Sequence, residues 1–222
     1  MKCFGYYIVK PLPKPGWCTL KAESILSVSE NGLSEKFPDL TKCFFVNCPR
    51  SNRAEYRRYL GLDDDVFSEF CRTVAHLFDD KKLATDSRFV CIEDILAVSR
   101  FLRNVEGIRV VGIYTDDDIF EEYRSEGTFD TVGAGMAHSL SSRKIGCDIL
   151  GCESLDHGYS CFDTYIINSL NEKIGQRAEL KVDEHSGLLQ NTYEETKHFC
   201  DMISGMGEPV IWTPFEVYEI LI

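Results

Sequence analysis

The sequence predicts an α/β or α+β fold in which helices flank a single mixed sheet. Residues 108–114 (IRVVGIY) form a nearly continuous apolar run, which is typical of a central strand buried on both faces. Residues 66–78 instead repeat apolar side chains at mostly three- and four-residue spacing, as one face of a helix does. Segments of the two kinds alternate along the 222 residues, so we expect one globular domain, with the 125–144 segment as the one candidate boundary.

Three further elements are predicted in the first half of the chain. Residues 3–9 are rich in aromatic and β-branched types and favour a strand. The helix over 66–78 follows Asp63, Asp64 and Asp65, whose carboxylates suit the free N–H groups and the dipole of a helix start. A second helix is predicted over 93–103, and a third directly after the 108–114 strand.

The second half is predicted to be less regular. Residues 125–144 are rich in Gly, Ser and Thr and indicate a long loop, which is followed by a strand over 145–150. Thr192 and Glu195 have the spacing of a capping box, so a helix is expected to begin there and to end at Gly205. Residues 210–212 favour a short strand, and Pro214 suits the first turn of a final helix.

The charge is acidic and unevenly distributed. There are 24 Lys and Arg residues against 36 Asp and Glu residues, a formal net charge of −12. Residues 1–60 carry +5, residues 61–130 carry −9 and residues 131–222 carry −8. Because nucleic-acid affinity depends on neutralising phosphates, we predict no nucleic-acid partner. A basic protein or peptide would be attracted, although acidity that only maintains solubility is the alternative reading.

Several protein classes are disfavoured by what the sequence lacks. No apolar run approaches the roughly 18 residues that span a bilayer, and the first residues do not read as a signal peptide, so we predict a cytoplasmic protein without a membrane partner. The ten Cys residues are then expected to be reduced, most of them as small buried side chains. No Walker A, HExxH, GxSxG or paired CxxC motif occurs, so no cofactor is predicted.

The first candidate site is an acidic cluster that follows the predicted central strand: Asp116, Asp117, Asp118, Glu121 and Glu122. These carboxylates could bind Lys and Arg side chains of a partner. The carboxyl ends of parallel strands are also common ligand sites, where carboxylate oxygens could hold a divalent cation for a metal-assisted enzyme. The purely structural alternative is a helix whose acidic first turn suits its dipole.

The second candidate site is a group of thiols and one imidazole: Cys147, Cys152, His157 and Cys161. Three thiolates and one histidine can form a tetrahedral zinc site, although the spacing is not that of a standard knuckle. Cys161 and His157 could alternatively act as a nucleophile and its base. Buried structural thiols with a surface histidine are the third reading, and we predict no catalytic residue from this region.

Four blocks in the last third of the chain carry a family resemblance. They are residues 146–151 (GCDILG), residues 158–161 (GYSC), Gly187 with Leu188, and residues 207–214 (GEPVIWTP). Together they resemble a set of small uncharacterised bacterial proteins, over about the last 80 residues. Some similar families are suspected to act as immunity proteins, which bind and neutralise a toxin. The resemblance thus implies a binding protein for a cationic toxin or enzyme, with the metal-assisted enzyme as the alternative.

Overall fold

A computed structural model describes residues 1–9, 54, 57–58, 60–83, 89–126, 141–154, 157–159, 181, 188–204 and 211–221. These residues form five strands and four longer helices. In chain order the elements are β1 (Lys2–Val9), α1 (Asp64–Asp79), α2 (Ile92–Leu102), β2 (Arg109–Thr115), α3 (Asp117–Glu126), β3 (Ser142–Ser154), β4 (His157–Tyr159), α4 (Tyr193–Ser204) and β5 (Ile211–Ile220).

The five strands form one sheet in the order β1-β2-β5-β3-β4. Each neighbouring pair is antiparallel, so the predicted single sheet with flanking helices is confirmed as an α+β fold, and its described pairings are antiparallel rather than mixed. Strand β2 lies between β1 and β5, and every residue from Val110 to Thr115 is buried. The apolar run therefore marks a strand covered on both faces, as predicted.

Alternate residues of β2 point into two cores. Val110 and Tyr114 face one side, where they belong to a cluster with Phe70 of α1 and Ile95 of α2. Val111 and Ile113 face the other side, against Phe120 and Tyr123 of α3 together with Phe4 and Phe215. Helix α3 therefore packs on the face opposite to α1 and α2. This arrangement leaves its acidic residues on the outside of the molecule.

The helices α1 and α2 begin close to their predicted starts. The Asp63 Oδ1 atom accepts a hydrogen bond from the Val66 N–H at 2.9 Å, which caps α1, and Phe70, Val74 and Leu77 are buried along one stripe of that helix. Helix α2 begins at Ile92, one residue before the predicted start.

Among the described residues, no helix is long and apolar enough to cross a membrane.

The predicted final helix after Pro214 is wrong, because residues 211–220 form strand β5. Val217 pairs with Ile113 of β2 on one side and with Gly146 of β3 on the other. Phe215 and Val217 face one core of the molecule, and Ile220 faces the other. Pro214 lies opposite Ile149 but beyond the last β2 pair, which joins Tyr114 to Glu216. A proline fits here because this part of β5 pairs on one side only.

The loop predicted over residues 125–144 is also too long at both ends. Helix α3 continues to Glu126, and β3 begins at Ser142, while residues 127–140 lie outside the described part of the chain. Strand β3 has an irregular register between Lys144 and Gly146 and then pairs continuously with β5 up to Cys152. The sequence does not predict the start of this strand, because Ser142, Arg143 and Lys144 are polar and resemble a loop. Their pairing with β5 depends on backbone hydrogen bonds and not on the side chains.

Candidate functional site

The predicted acidic cluster lies where β2 ends and α3 begins. Asp116 follows the last residue of β2, and its carbonyl accepts the Phe120 N–H at 2.9 Å, which starts the helix. Asp117, Asp118, Glu121 and Glu122 are exposed on the outer side of α3, while Phe120 and Tyr123 of the same helix are buried. We call the five carboxylates the acidic face.

Three carboxylates of the acidic face are paired with cations of the chain itself. Asp116 Oδ2 lies 2.6 Å from the Lys197 ammonium of α4, and Asp117 Oδ1 lies 3.1 Å from the α-amino group of Met1. Glu121 accepts a hydrogen bond from Lys2, which lowers the pKa of the Glu121 carboxyl, and its second oxygen lies 3.6 Å from Arg124. These three positions are therefore partly neutralised.

The other two carboxylates of the acidic face are in a different situation. Asp118 and Glu122 are exposed and lie four residues apart on α3, so they project from the same side of the helix about one turn apart. Within the described ranges, neither carboxylate takes part in an ion pair. They are the members of the acidic face whose charge is not offset by a neighbouring cation of the described chain.

A buried tyrosine of α4 fixes the start of α3. The Tyr193 hydroxyl accepts the Asp116 N–H at 3.1 Å and lies 3.1 Å from the Thr115 hydroxyl. Thr115 donates its own proton to the Pro214 carbonyl at 3.0 Å, so the Tyr193 hydroxyl must be the donor toward Thr115. Burial raises the pKa of Tyr193 to about 12, which keeps this donor protonated. The sequence carries no signal for this role of Tyr193.

The capping box that precedes Tyr193 holds α4 in place, as predicted. Glu195 Oε2 accepts the Thr192 N–H at 2.8 Å, and Thr192 Oγ1 accepts the Glu195 N–H at 3.2 Å. This reciprocal pair satisfies two of the free donors at the start of the helix. Phe199 and Ile203 follow as buried residues on the inner side of α4. Residue 205, where the helix is predicted to stop, lies outside the described residues.

Among the predicted zinc ligands, Cys147 and Cys152 are separated along one extended strand. Cys147 and Cys152 both belong to β3, which pairs with β5 without interruption between them. Five residues of strand span about 16 Å, whereas two thiolates on one zinc ion lie within about 4 Å of each other. His157 pairs with Ser154 at the far end of β3, and Cys161 lies outside the described residues. In the described part of the chain, no group of three or more His, Cys, Asp or Glu side chains could hold a metal ion.

Cys147 is placed as a structural thiol. It is buried, and its Sγ atom donates a hydrogen bond to the Asn191 carbonyl at 3.4 Å. Burial raises the pKa of Cys147, although Lys144 and Thr196 oppose the shift. Burial likewise raises the pKa of Cys200 and raises that of Cys91 to about 11. Since the thiolate is the reactive form, none of these three cysteines is activated at neutral pH.

Comparison with protein-family models, with curated proteins and with solved structures finds no match to this chain. The resemblance to families with an immunity role therefore stays a prediction. In the described residues, four of the five carboxylates of the acidic face are exposed, whereas the thiols of Cys147 and Cys200 are buried.

Proposed function

We propose that this chain is a cytoplasmic binding protein that neutralises a cationic toxin or enzyme, as an immunity or inhibitor protein does. The acidic face of α3 would dock against Lys and Arg side chains of that partner. The proposal rests on one observation, which is that Asp118 and Glu122 are exposed, adjacent on one side of α3 and without an ion pair in the described chain. A partner's cations can approach these two carboxylates without displacing a cation of the described residues.

The support of α3 makes the acidic face a suitable docking surface. Phe120 and Tyr123 anchor the inner side of the helix in the core, and the Tyr193 hydroxyl accepts the N–H of Asp116, the residue that precedes the helix. A surface that is already ordered loses less conformational freedom when it binds. Complementary charge mainly speeds association and makes the complex sensitive to salt, because screening weakens attraction between exposed charges.

The test is a low-salt affinity capture with the full chain in cells that produce it, followed by measurement of binding to each purified partner. We expect one basic protein to be retained in stoichiometric amount and released as salt rises. The double variant Asp118→Asn/Glu122→Gln should bind that protein about tenfold more weakly, which corresponds to about 1.4 kcal/mol. Most of the loss should appear in the association rate.

Helix α1 provides a matched control. Asp65 and Glu69 are also exposed, four residues apart, and occupy the same positions relative to the start of their helix. Asp65→Asn/Glu69→Gln removes the same charge and should leave binding unchanged. If the two double variants weakened binding equally, the effect would come from the overall charge and not from the acidic face. If neither weakened binding, docking at the acidic face would be refuted. A stoichiometric metal ion in the purified protein would instead favour the metal-assisted enzyme.

A further inference from the structure

Asp148 of β3 carries a carboxyl group that is buried inside the molecule. The residue is 2% exposed and pairs with Phe215 of β5. The Oδ1 atom accepts a hydrogen bond from the N–H of Ile149, the next residue of the same strand, at 2.9 Å. An ionised carboxylate normally needs several donors or a cation when it leaves water. One backbone donor is little compensation for such complete burial.

The described groups around Asp148 offer no positive charge. In the part of the chain that the structure describes, no Lys, Arg or His side chain pairs with it. Helix α4 contributes the thiol of Cys200 and the carboxylate of Asp201, and the residue of β5 paired with Asp148 is Phe215. Burial raises the pKa of the Cys200 thiol, so it stays neutral. Burial likewise raises the pKa of Asp148 well above its usual value, opposed only by the Ile149 N–H.

We propose that the Asp148 carboxyl group is protonated in the folded protein at neutral pH and ionises when the protein unfolds, so that folding takes up one proton. In an unfolded chain, an Asp carboxyl titrates near a pKa of about 3.9. Above that pH the unfolded state binds fewer protons than the folded state, so stability falls as pH rises. This pH dependence of stability is opposite to that of an ion-paired carboxylate, whose contribution to stability rises with pH. One linked proton changes the folding equilibrium constant about tenfold for each pH unit.

The test is urea unfolding of the wild-type chain and of Asp148→Asn, a neutral side chain of nearly the same shape, between pH 5 and pH 8. We expect the ratio of their unfolding constants, wild type over variant, to rise about tenfold per pH unit. The slope decides the question even if the substitution itself lowers stability. Asp201→Asn is the control, because it removes an exposed aspartate from α4 and should give a ratio that does not change with pH.

A ratio for Asp148→Asn that stays constant from pH 5 to pH 8 would overturn the proposal. If that variant does not fold, infrared spectroscopy of the wild type decides instead. The folded protein at pH 7 should show the C=O stretching band of a protonated carboxyl group, and the band should disappear in urea. The absence of that band from the folded protein would equally overturn the proposal.

Discussion

The start of α3 and the middle of β3 both carry carboxylates. Those of α3 face solvent beside cations, whereas Asp148 of β3 is buried and has no cationic partner among the described residues. At the acidic face, Lys197 neutralises Asp116, and Lys2 lowers the pKa of Glu121. At β3, the 2% exposure of Asp148 acts in the opposite direction and raises its pKa. A count of acidic residues treats these positions alike, whereas their surroundings decide which charges a partner can use.

The two regions also differ in how tightly they are packed. Asp118 and Glu122 project from a helix whose outer side is open to solvent. Beside β3, the segment 188–190 runs along the edge of the strand, and Leu189 exchanges two backbone hydrogen bonds with Cys147 at 2.7 and 2.9 Å. Substitutions should therefore change binding at the acidic face and stability at β3. The following predictions test that division, beginning with the largest effect.

Gly146→Ala should give the largest loss of stability. A Cβ atom at Gly146 would lie 2.8 Å from the Leu188 Cβ atom and 2.9 Å from the Leu189 carbonyl oxygen, closer than packed atoms approach. The segment 188–190 would have to move away from β3, so we expect the free energy of unfolding to fall by about 3 kcal/mol, the upper part of the range for overpacked cores. Urea unfolding measures the loss.

Gly61→Ala measures the cost of an unfavourable φ without crowding, whereas Gly146→Ala combines crowding with a φ of +155°. Gly61 has a φ of +66°, which disfavours alanine, but a Cβ atom there would meet nothing within 4 Å. Its expected cost is therefore only about 1 kcal/mol. If Gly146→Ala were as mild as this control, β3 would not be the tightly packed region, and the contrast with the acidic face would fail.

The elements defined by side-chain pattern were predictable from sequence, whereas those defined by pairing were not. The helix stripe of Phe70, Val74 and Leu77 and the buried run of β2 follow from spacing that any packed layer would require. Strand β5 was predicted only in part, because Pro214 also suits the start of a helix. Only the register with β2 and β3 shows that Pro214, which has no backbone N–H, lies beyond the last residue that pairs with β2. That information is spread over three segments of the chain.

The candidate site was predictable only in its location. The five carboxylates of the acidic face follow a strand in sequence, so their exposure at its end could be expected. Their pairing could not, because Lys2 and Lys197 are 119 and 81 residues away from the carboxylates that they contact. The Cys147 and Cys152 pair shows the converse, since two residues close in sequence are held apart by an extended strand.

Tyr193→Phe should give an intermediate loss of stability and should also loosen the start of α3, where the acidic face begins. The substitution removes the acceptor of the Asp116 N–H and the donor to Thr115, both of which are buried or half-buried. Unsatisfied groups of this kind cost about 1–2 kcal/mol, so the free energy of unfolding should fall by that amount. Hydrogen exchange of the Asp116 amide should accelerate more than exchange in β1.

Tyr218→Phe is the matched control for the loss of a tyrosine hydroxyl. Tyr218 is half-buried, and its hydroxyl donates to Glu216 Oε2 at 3.0 Å, a carboxylate that Lys144 also contacts. We expect a smaller loss of stability than for Tyr193→Phe and no change in exchange at Asp116. Identical exchange rates at Asp116 in the two variants would show that α3 does not depend on α4 for its position.

Glu121→Gln should have the smallest effect, and its dependence on pH identifies the cause. The hydrogen bond from Lys2 lowers the pKa of Glu121, so its ionised form is stabilised in the folded protein. That contribution is present above the usual Glu pKa of about 4.3 and is lost as the pH falls through the lowered value. The wild type should therefore have a slightly higher Tm than the variant at pH 7, with the difference vanishing near pH 2 and shrinking in high salt.

Glu122→Gln removes an exposed carboxylate from the neighbouring position of α3 and should leave the Tm unchanged at pH 7. If both substitutions lowered the Tm equally, Glu122 would have a stabilising contact of its own, and the acidic face could not be divided into paired and unpaired carboxylates. If instead Glu121→Gln weakened partner binding as strongly as Glu122→Gln, the partner would compete successfully with Lys2. The measurements together thus distinguish carboxylates that stabilise the fold from those left to bind a partner.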